Sequence, residues 1–154
     1  MNFQKIKVYH LLWIVALLIL IIGLIDPNNT LDINIHDTYF VILNLHVAIA
    51  LFLFYFLNGL GYWSIQKILK KGLIKPLTII HTTILIGSFV FYWLVIIYSK
   101  IFLSNSTFPL FDDGRDLINI TLVLELLLIL FLATPIFIIN LLIGLLRRTD
   151  NNKI

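Results

Sequence analysis

Four long stretches of the chain consist almost entirely of apolar residues, mainly leucine, isoleucine, valine and phenylalanine. They run from about residue 9 to 25, 38 to 60, 77 to 99 and 117 to 146. Each is long enough to cross the ~30 Å hydrocarbon core of a bilayer, which needs about 20 residues of helix. Apolar runs of this length are typical of membrane-spanning helices rather than of buried strands. The pattern predicts an all-α membrane protein, a four-helix bundle forming a single domain over residues 1–154.

The last apolar stretch is the longest, and Glu125 and Pro135 interrupt it. As a straight helix, residues 117–146 would measure about 45 Å, which exceeds the bilayer core. Proline cannot donate the backbone hydrogen bond of a helix interior. We therefore expect this helix to tilt, to kink at Pro135, or both.

Composition and charge agree with a membrane protein and orient it. Charged residues make up 12% of the 154 residues, about half of the ~25% found in soluble domains. Nine of the 11 Lys and Arg fall on one side of the predicted spans: Lys5, Lys7, Lys67, Lys70, Lys71, Lys75, Arg147, Arg148 and Lys153. The positive-inside bias makes that side cytoplasmic. Both termini are then expected inside, in a bacterial inner membrane; the lipid bilayer is the expected partner, and nucleic acid is not.

The basic segment from Ser64 to Lys75 has two interpretations. It places apolar and lysine side chains on opposite helical faces, which is the pattern of a short helix lying in the membrane interface. An ordinary basic loop explains the same residues. Both remain open from the sequence.

Amino-acid usage restricts the cofactors that the chain can hold. There is no cysteine, and Met1 is the only methionine. This excludes iron–sulfur clusters, thiolate-ligated haem and cysteine-based zinc sites. If a haem is held through ordinary axial ligands, these must come from the four histidines or from another chain.

Three ionisable residues lie within the predicted spans, where such groups are functional candidates because burying them is costly. His46 and Glu125 each lie eight residues, about 12 Å, into their helices from the outer side. They would meet if the second and fourth helices pack together. His81 lies about 6 Å from the cytoplasmic boundary. The structural interpretation of each is a buried, neutral, hydrogen-bonded group. Asn44 projects about 200° away from His46 around the helix.

Residues 29–46 read NTLDINIHDTYFVILNLH. This segment resembles the tenth helix, and the loop before it, of subunit I of the haem–copper cytochrome c oxidases. The His-Asp-Thr-Tyr core with its downstream histidine is a specific feature of that family. A weaker similarity continues to residues 80–87, IHTTILIG, which look like the start of the eleventh helix. The four predicted spans then correspond in order and orientation to the last four of that subunit's twelve helices.

The resemblance implies roles for several residues. His46 occupies the position of the axial ligand of the low-spin haem, and Asp32 matches an aspartate near the haem propionates. His36 and Asp37 occupy positions that hold a magnesium-like ion together with a carboxylate from subunit II. Asn44 stands where the family has the histidine that binds the high-spin haem. An amide is a poor ligand for iron.

The departures from the family pattern exclude oxygen reduction by this chain. The helices that carry the copper-binding histidines are absent, and one of the two matching haem histidines is replaced. We therefore expect no enzymatic activity. Binding of a divalent cation by the isolated chain is also not expected, since two protein ligands do not make a magnesium site.

Three functions remain open. The favoured one is a non-catalytic accessory, assembly or degenerate relative of the oxidase, with other respiratory-chain or membrane subunits as partners. The first alternative is a haem-binding electron-transfer protein that uses His46, with a homodimer or a partner supplying the second ligand. The other is an intramembrane proton or ion pathway through Glu125 and His46.

Overall fold

The computed structural model describes residues 7–25, 27–28, 30–35, 38–103 and 115–147, and this part of the chain is mostly helical. Its α-helices are α1 (Val8–Ile25), α2 (Asn44–Trp63), α3 (Lys75–Tyr98), α4 (Arg115–Leu128) and α5 (Thr134–Leu146). Three π-helical turns continue α2, α3 and α4, at Ser64–Ile68, Ser99–Leu103 and Ile129–Ala133.

Within the described residues, four helical segments are long and apolar enough to cross a membrane. They are Val8–Ile25, Asn44–Ile68, Lys75–Phe102 and Leu117–Leu146. The third and fourth agree with the predicted spans to within a few residues. The second is displaced toward the C-terminus, because it starts later and extends past residue 60.

A β-hairpin occupies the start of the predicted second span. Strands β1 (Thr30–Ile35) and β2 (Thr38–Leu43) pair antiparallel, with Thr30 opposite Leu43 and Ile35 opposite Thr38. The expectation of an all-α chain is therefore wrong here, and the second helix begins at Asn44. The sequence of β2, TYFVIL, is rich in β-branched and aromatic residues, which favour strands. A short apolar run of this kind cannot be assigned to a strand or a helix by its periodicity alone.

The fourth span changes from α-helical to π-helical geometry just before Pro135. Pro135 lies at the start of α5, directly after the π-helical turn Ile129–Ala133. Proline inside a helical span removes a backbone donor, and local π-helical geometry and threonine side chains help to satisfy the backbone groups that it leaves free. The Thr134 hydroxyl donates a hydrogen bond of 3.0 Å to the Ile129 carbonyl, five residues earlier. The helix therefore continues from α4 through the π-helical turn into α5 without a non-helical residue.

The two ends of the bundle differ. The hairpin end holds β1, β2 and the first turn of α2. The lysine end holds Lys67, Lys70, Lys71 and Lys75, in the connection from α2 to α3. After the π-helical turn, residues 69–74 are not helical, so the interfacial helix considered for this segment does not form. Lys70 adopts a left-handed backbone conformation with φ of 52°.

Helices α1 and α2 pack closely along their length. A Cβ atom added to Gly23 would lie 2.1 Å from the Cβ of Ala48, and one added to Gly59 would lie 2.4 Å from the Trp13 indole nitrogen. That nitrogen donates a 3.3 Å hydrogen bond to the Phe56 carbonyl. Small residues therefore set the distance between these two helices.

Candidate functional site

His46 lies on the surface near the hairpin end. It is the third residue of α2, two positions after Asn44, and its side chain is exposed whereas that of Asn44 is half-buried. The expectation that His46 lies eight residues into its helix is therefore wrong. The residues assumed to form the preceding helical turns belong to β2, so His46 lies only about 3 Å from the start of its helix.

The expected contact between His46 and Glu125 does not form. Among the described residues, neither an ion pair nor a hydrogen bond joins them. Glu125 is half-buried on α4 and interacts electrostatically with Tyr55 of α2 and Tyr92 of α3. The matched depths that motivated the contact disappear once α2 begins at Asn44.

Most of the residues expected to approach a metal fall outside the described part of the chain. His36 and Asp37 lie outside the described residues. Asp32 lies in β1, where its backbone pairs with that of Val41. Elsewhere in the described ranges, no group of three or more His, Cys, Asp or Glu residues forms a metal-binding cluster.

His81 is fully buried and engaged with a neighbouring helix. Its Nδ1 atom lies 2.8 Å from the hydroxyl oxygen of Tyr62, also fully buried on α2. The rings of Tyr62 and Phe137 enclose the imidazole, with Phe137 stacked on it at a centroid distance of 5.1 Å. This arrangement agrees with the structural interpretation of His81 as a hydrogen-bonded imidazole between helices.

A second polar contact lies next to this pair, toward the lysine end. Asn140 of α5 is fully buried, and its amide nitrogen donates a 2.8 Å hydrogen bond to the Thr78 hydroxyl. Its amide oxygen accepts a 3.0 Å hydrogen bond from the backbone nitrogen of Ile74. Thr78 in turn donates to the Ile74 carbonyl at 3.0 Å. Asn140 also interacts with the Tyr62 hydroxyl, so the two contacts form one network.

Two buried polar atoms in this region have no hydrogen-bond partner in the structure. They are Nε2 of His81 and Oδ1 of Asn58. Asn58 lies one turn along α2 from Tyr62, and its amide nitrogen donates 2.7 Å to the Phe54 carbonyl. A further turn away, the Tyr55 hydroxyl donates 2.7 Å to the Leu85 carbonyl of α3.

These side chains form what we call the polar column, a series of buried or half-buried polar groups along the inside of the bundle. Its members are Tyr55, Asn58 and Tyr62 of α2, Thr78, His81, Ser88 and Tyr92 of α3, Glu125 of α4 and Asn140 of α5. Sequence reasoning identified only His81 and Glu125. Three polar residues at positions i, i+3 and i+7 of an apolar helix share one face, and residues 55, 58 and 62 carry that signal.

A hydrogen-bonded imidazole and phenol inside an apolar bundle can hold or pass on a proton, since both groups donate and accept. Comparisons with known protein families, with curated proteins and with solved structures find no match for this chain.

Proposed function

We propose that this chain is a non-catalytic integral membrane protein related to subunit I of the haem–copper oxidases, acting as an accessory or assembly partner of other respiratory-chain or membrane subunits. It would lie in a bacterial inner membrane with four spans and both termini in the cytoplasm. The family part of this proposal depends on the HDTYF motif and the downstream His46. The membrane part is supported by the four long apolar helices.

One structural observation supports an accessory role over a haem carrier built from a single chain, namely the separation of the described histidines. His10 and His46 are exposed, whereas His81 is buried and bonded to Tyr62. Sixteen residues of helix, about 24 Å, separate His46 from Tyr62. A bis-histidine haem needs two imidazoles on opposite faces of one iron. The described residues of a single chain do not fit that requirement.

The accessory role is tested in the native organism. We expect the tagged protein to co-purify with identified oxidase subunits, and its deletion to lower the haem content of assembled oxidase in reduced-minus-oxidised membrane spectra. Restoring the wild-type protein should restore the spectrum. An unchanged spectrum after deletion, with no oxidase subunit in the purified material, would contradict the proposal.

The orientation is tested by thiol labelling. The chain has no cysteine, so a cysteine introduced at Asn105 is unique. The charge distribution predicts that this thiol reacts from the outer side of the membrane. A cysteine placed at Gly72, between Lys71 and Leu73, should react from the cytoplasmic side and serves as the matched control. The opposite pattern would show that the orientation is inverted.

A haem-binding electron carrier remains the second candidate, and one observation favours it. His46 is exposed on α2 with the exposed side chains of Ile49 and Leu53 on the following turns, so a second chain can approach it. A six-coordinate haem would then require His46 from two copies across a two-fold interface. Haem content and dimer content should rise and fall together, and His46→Ala should abolish both while His10→Ala changes neither. A purified protein without a Soret band would exclude this candidate.

A further inference from the structure

The polar column connects the lysine end of the bundle to its middle. From Tyr62 to Asn58 the step along α2 is about 6 Å, and from Asn58 to Tyr55 it is about 4.5 Å. The Tyr62–His81 pair and the Asn140–Thr78 contact lie toward the lysine end. At the other end of the series lies Tyr55, whose hydroxyl donates 2.7 Å to the Leu85 carbonyl, within electrostatic range of the half-buried Glu125 of α4. Buried polar groups therefore recur at intervals of one helical turn or less.

The two buried atoms without hydrogen-bond partners, His81 Nε2 and Asn58 Oδ1, belong to residues of this series, and one can donate where the other accepts. If the Tyr62 hydroxyl donates to Nδ1 of His81, the Nε2 atom carries a hydrogen with no acceptor. The Asn58 Oδ1 atom is an acceptor without a donor. Buried polar atoms in proteins are paired with protein groups or ordered water. Water between polar groups of this kind would complete both atoms' hydrogen bonds.

We propose that the polar column is a hydrated proton pathway, in which His81 and Tyr62 relay protons between the lysine end and Glu125. The pathway goes beyond the accessory role and does not depend on it. His46, which sequence reasoning placed on such a pathway, is not part of it because it is exposed at the hairpin end. The protein supplies hydrogen-bond donors and acceptors at fixed positions along this pathway.

The transfer at His81 conserves both atoms and charge. A proton adds to one ring nitrogen, and the proton on the other nitrogen leaves to the next group, so the neutral imidazole is regenerated with its tautomer exchanged. Tyr62 passes a proton when its hydroxyl gives one to the imidazole and accepts one from its other side. Rotation of the Tyr62 hydroxyl and of the His81 ring restores the starting state without moving a further proton. One proton per cycle passes between water at the lysine end and the Glu125 carboxylate, which accepts it at the other end of the column.

The side chains that surround the Tyr62–His81 pair come from α2 and α5. Tyr62 faces His81 from α2, and Phe137 and Asn140 come from α5. Tyr55, Tyr92 and Glu125 are the titratable groups farther along. Within the described residues, no carboxylate forms an ion pair with His81. A transient imidazolium would therefore not be trapped by a fixed negative charge, and this favours onward transfer over storage.

The pathway is tested with the full-length chain reconstituted in phospholipid vesicles. A rapid pH jump is applied, and time-resolved infrared spectroscopy follows the carboxyl band that Glu125→Gln removes. We expect the wild-type Glu125 carboxyl to follow the jump. Tyr62→Phe and His81→Phe should each slow its protonation at least tenfold. Tyr62→Phe removes a single hydroxyl, so it keeps the test valid if His81→Phe fails to fold.

Matched controls separate the relay from general access of water to Glu125. Tyr98→Phe removes an exposed phenol outside the column, and His10→Ala and His46→Ala remove exposed histidines. These three variants should keep the wild-type rate. The proposal is overturned if the Glu125 carboxyl does not respond to the jump, if a folded Tyr62→Phe or His81→Phe keeps the full rate, or if His46→Ala slows it as much as they are expected to. None of these results affects the accessory role, which is measured by oxidase content and co-purification.

Discussion

The two interfaces of α2 are built in different ways. Toward α1, glycine and alanine allow close approach, and Gly23 meets Ala48 while Gly59 meets Trp13. Toward α3 and α5, buried polar side chains meet instead, with Tyr62 on His81. The first interface depends on shape, and the second on hydrogen bonds in a medium of low polarity. One helix thus combines a close-packed apolar contact with a chemically active one.

This difference shows where the chain tolerates change. A contact between small residues does not tolerate a larger side chain, because the backbones are already near their closest approach. A contact between polar residues does not tolerate the removal of one partner, because the remaining group is left buried and unsatisfied. Each interface can therefore be broken by a substitution that the other would accept.

The largest effect is expected where volume is added to the α1–α2 contact. In Gly23→Ala the new Cβ would lie 2.1 Å from the Ala48 Cβ, so the helices must separate. Overpacking of this kind destabilises by about 3 kcal/mol. The free energy of unfolding, measured in detergent micelles by circular dichroism, should fall accordingly. Gly87→Ala is the matched control, since nothing lies within 4 Å of its added Cβ, and its stability should be unchanged or slightly raised. Equal stabilities for the two variants would refute the close contact.

The next effect is expected from removing the buried amide of Asn140. Asn140→Leu deprives both the Ile74 backbone nitrogen and the Thr78 hydroxyl of a partner. Unsatisfied buried groups make the expected loss about 2 kcal/mol, measured by the same unfolding experiment. Thr83→Val, which changes an exposed polar residue of α3, should have little effect. A neutral result for Asn140→Leu would mean that water enters this region freely.

A smaller effect is expected for the hydrogen bond between Tyr62 and His81. Interhelical hydrogen bonds in membrane proteins contribute about 1 kcal/mol, so a double-mutant cycle of Tyr62→Phe and His81→Phe should give a coupling energy of that size. Tyr98→Phe paired with His81→Phe should give additive effects, because Tyr98 is exposed. Additivity in the first cycle would show that the 2.8 Å contact contributes nothing to stability.

The smallest effect is expected between His46 and Glu125. The structure separates them, so His46→Ala and Glu125→Ala should add within about 0.5 kcal/mol. A coupling energy well above this value would restore the contact that the sequence suggested. It would also indicate that α4 packs on the hairpin end of α2 in the membrane.

The number and type of the long helices could be predicted from the sequence because their apolar runs have the length of a membrane span. The hairpin could not, since residues 38–43 are as apolar as the helix that follows them, and pairing with residues 30–35 decides their conformation. The π-helical turns carry no comparable local signal, although Pro135 marked the position of one. Because the sequence pattern starts the second helix too early, it places His46 too far into that helix.

The polar column was predictable only in part. His81 and Glu125 were identifiable as ionisable residues in apolar segments, whereas Tyr62 and Asn140 acquire their roles from the packing of helices far apart in sequence. Single-helix periodicity places Tyr55, Asn58 and Tyr62 on one face, but it does not select the helix that this face meets. The three-dimensional arrangement supplies that information.

The π-helical turn at Ile129–Ala133 also determines how this chain tolerates deletions. Buried residues here recur at intervals of four, at Ile129, Ala133 and, half-buried, Phe137. In an α-helix such a repeat drifts about 40° around the axis at each step, and a π-helical turn, with more residues per turn, reduces the drift. Deleting one residue within this turn should leave an α-helix with Glu125 and Asn140 still facing the bundle. The same deletion in α3 would rotate all residues beyond it by about 100° around the helix axis. We therefore expect a one-residue deletion to be tolerated in the π-helical turn of the fourth span but not in the middle of α3.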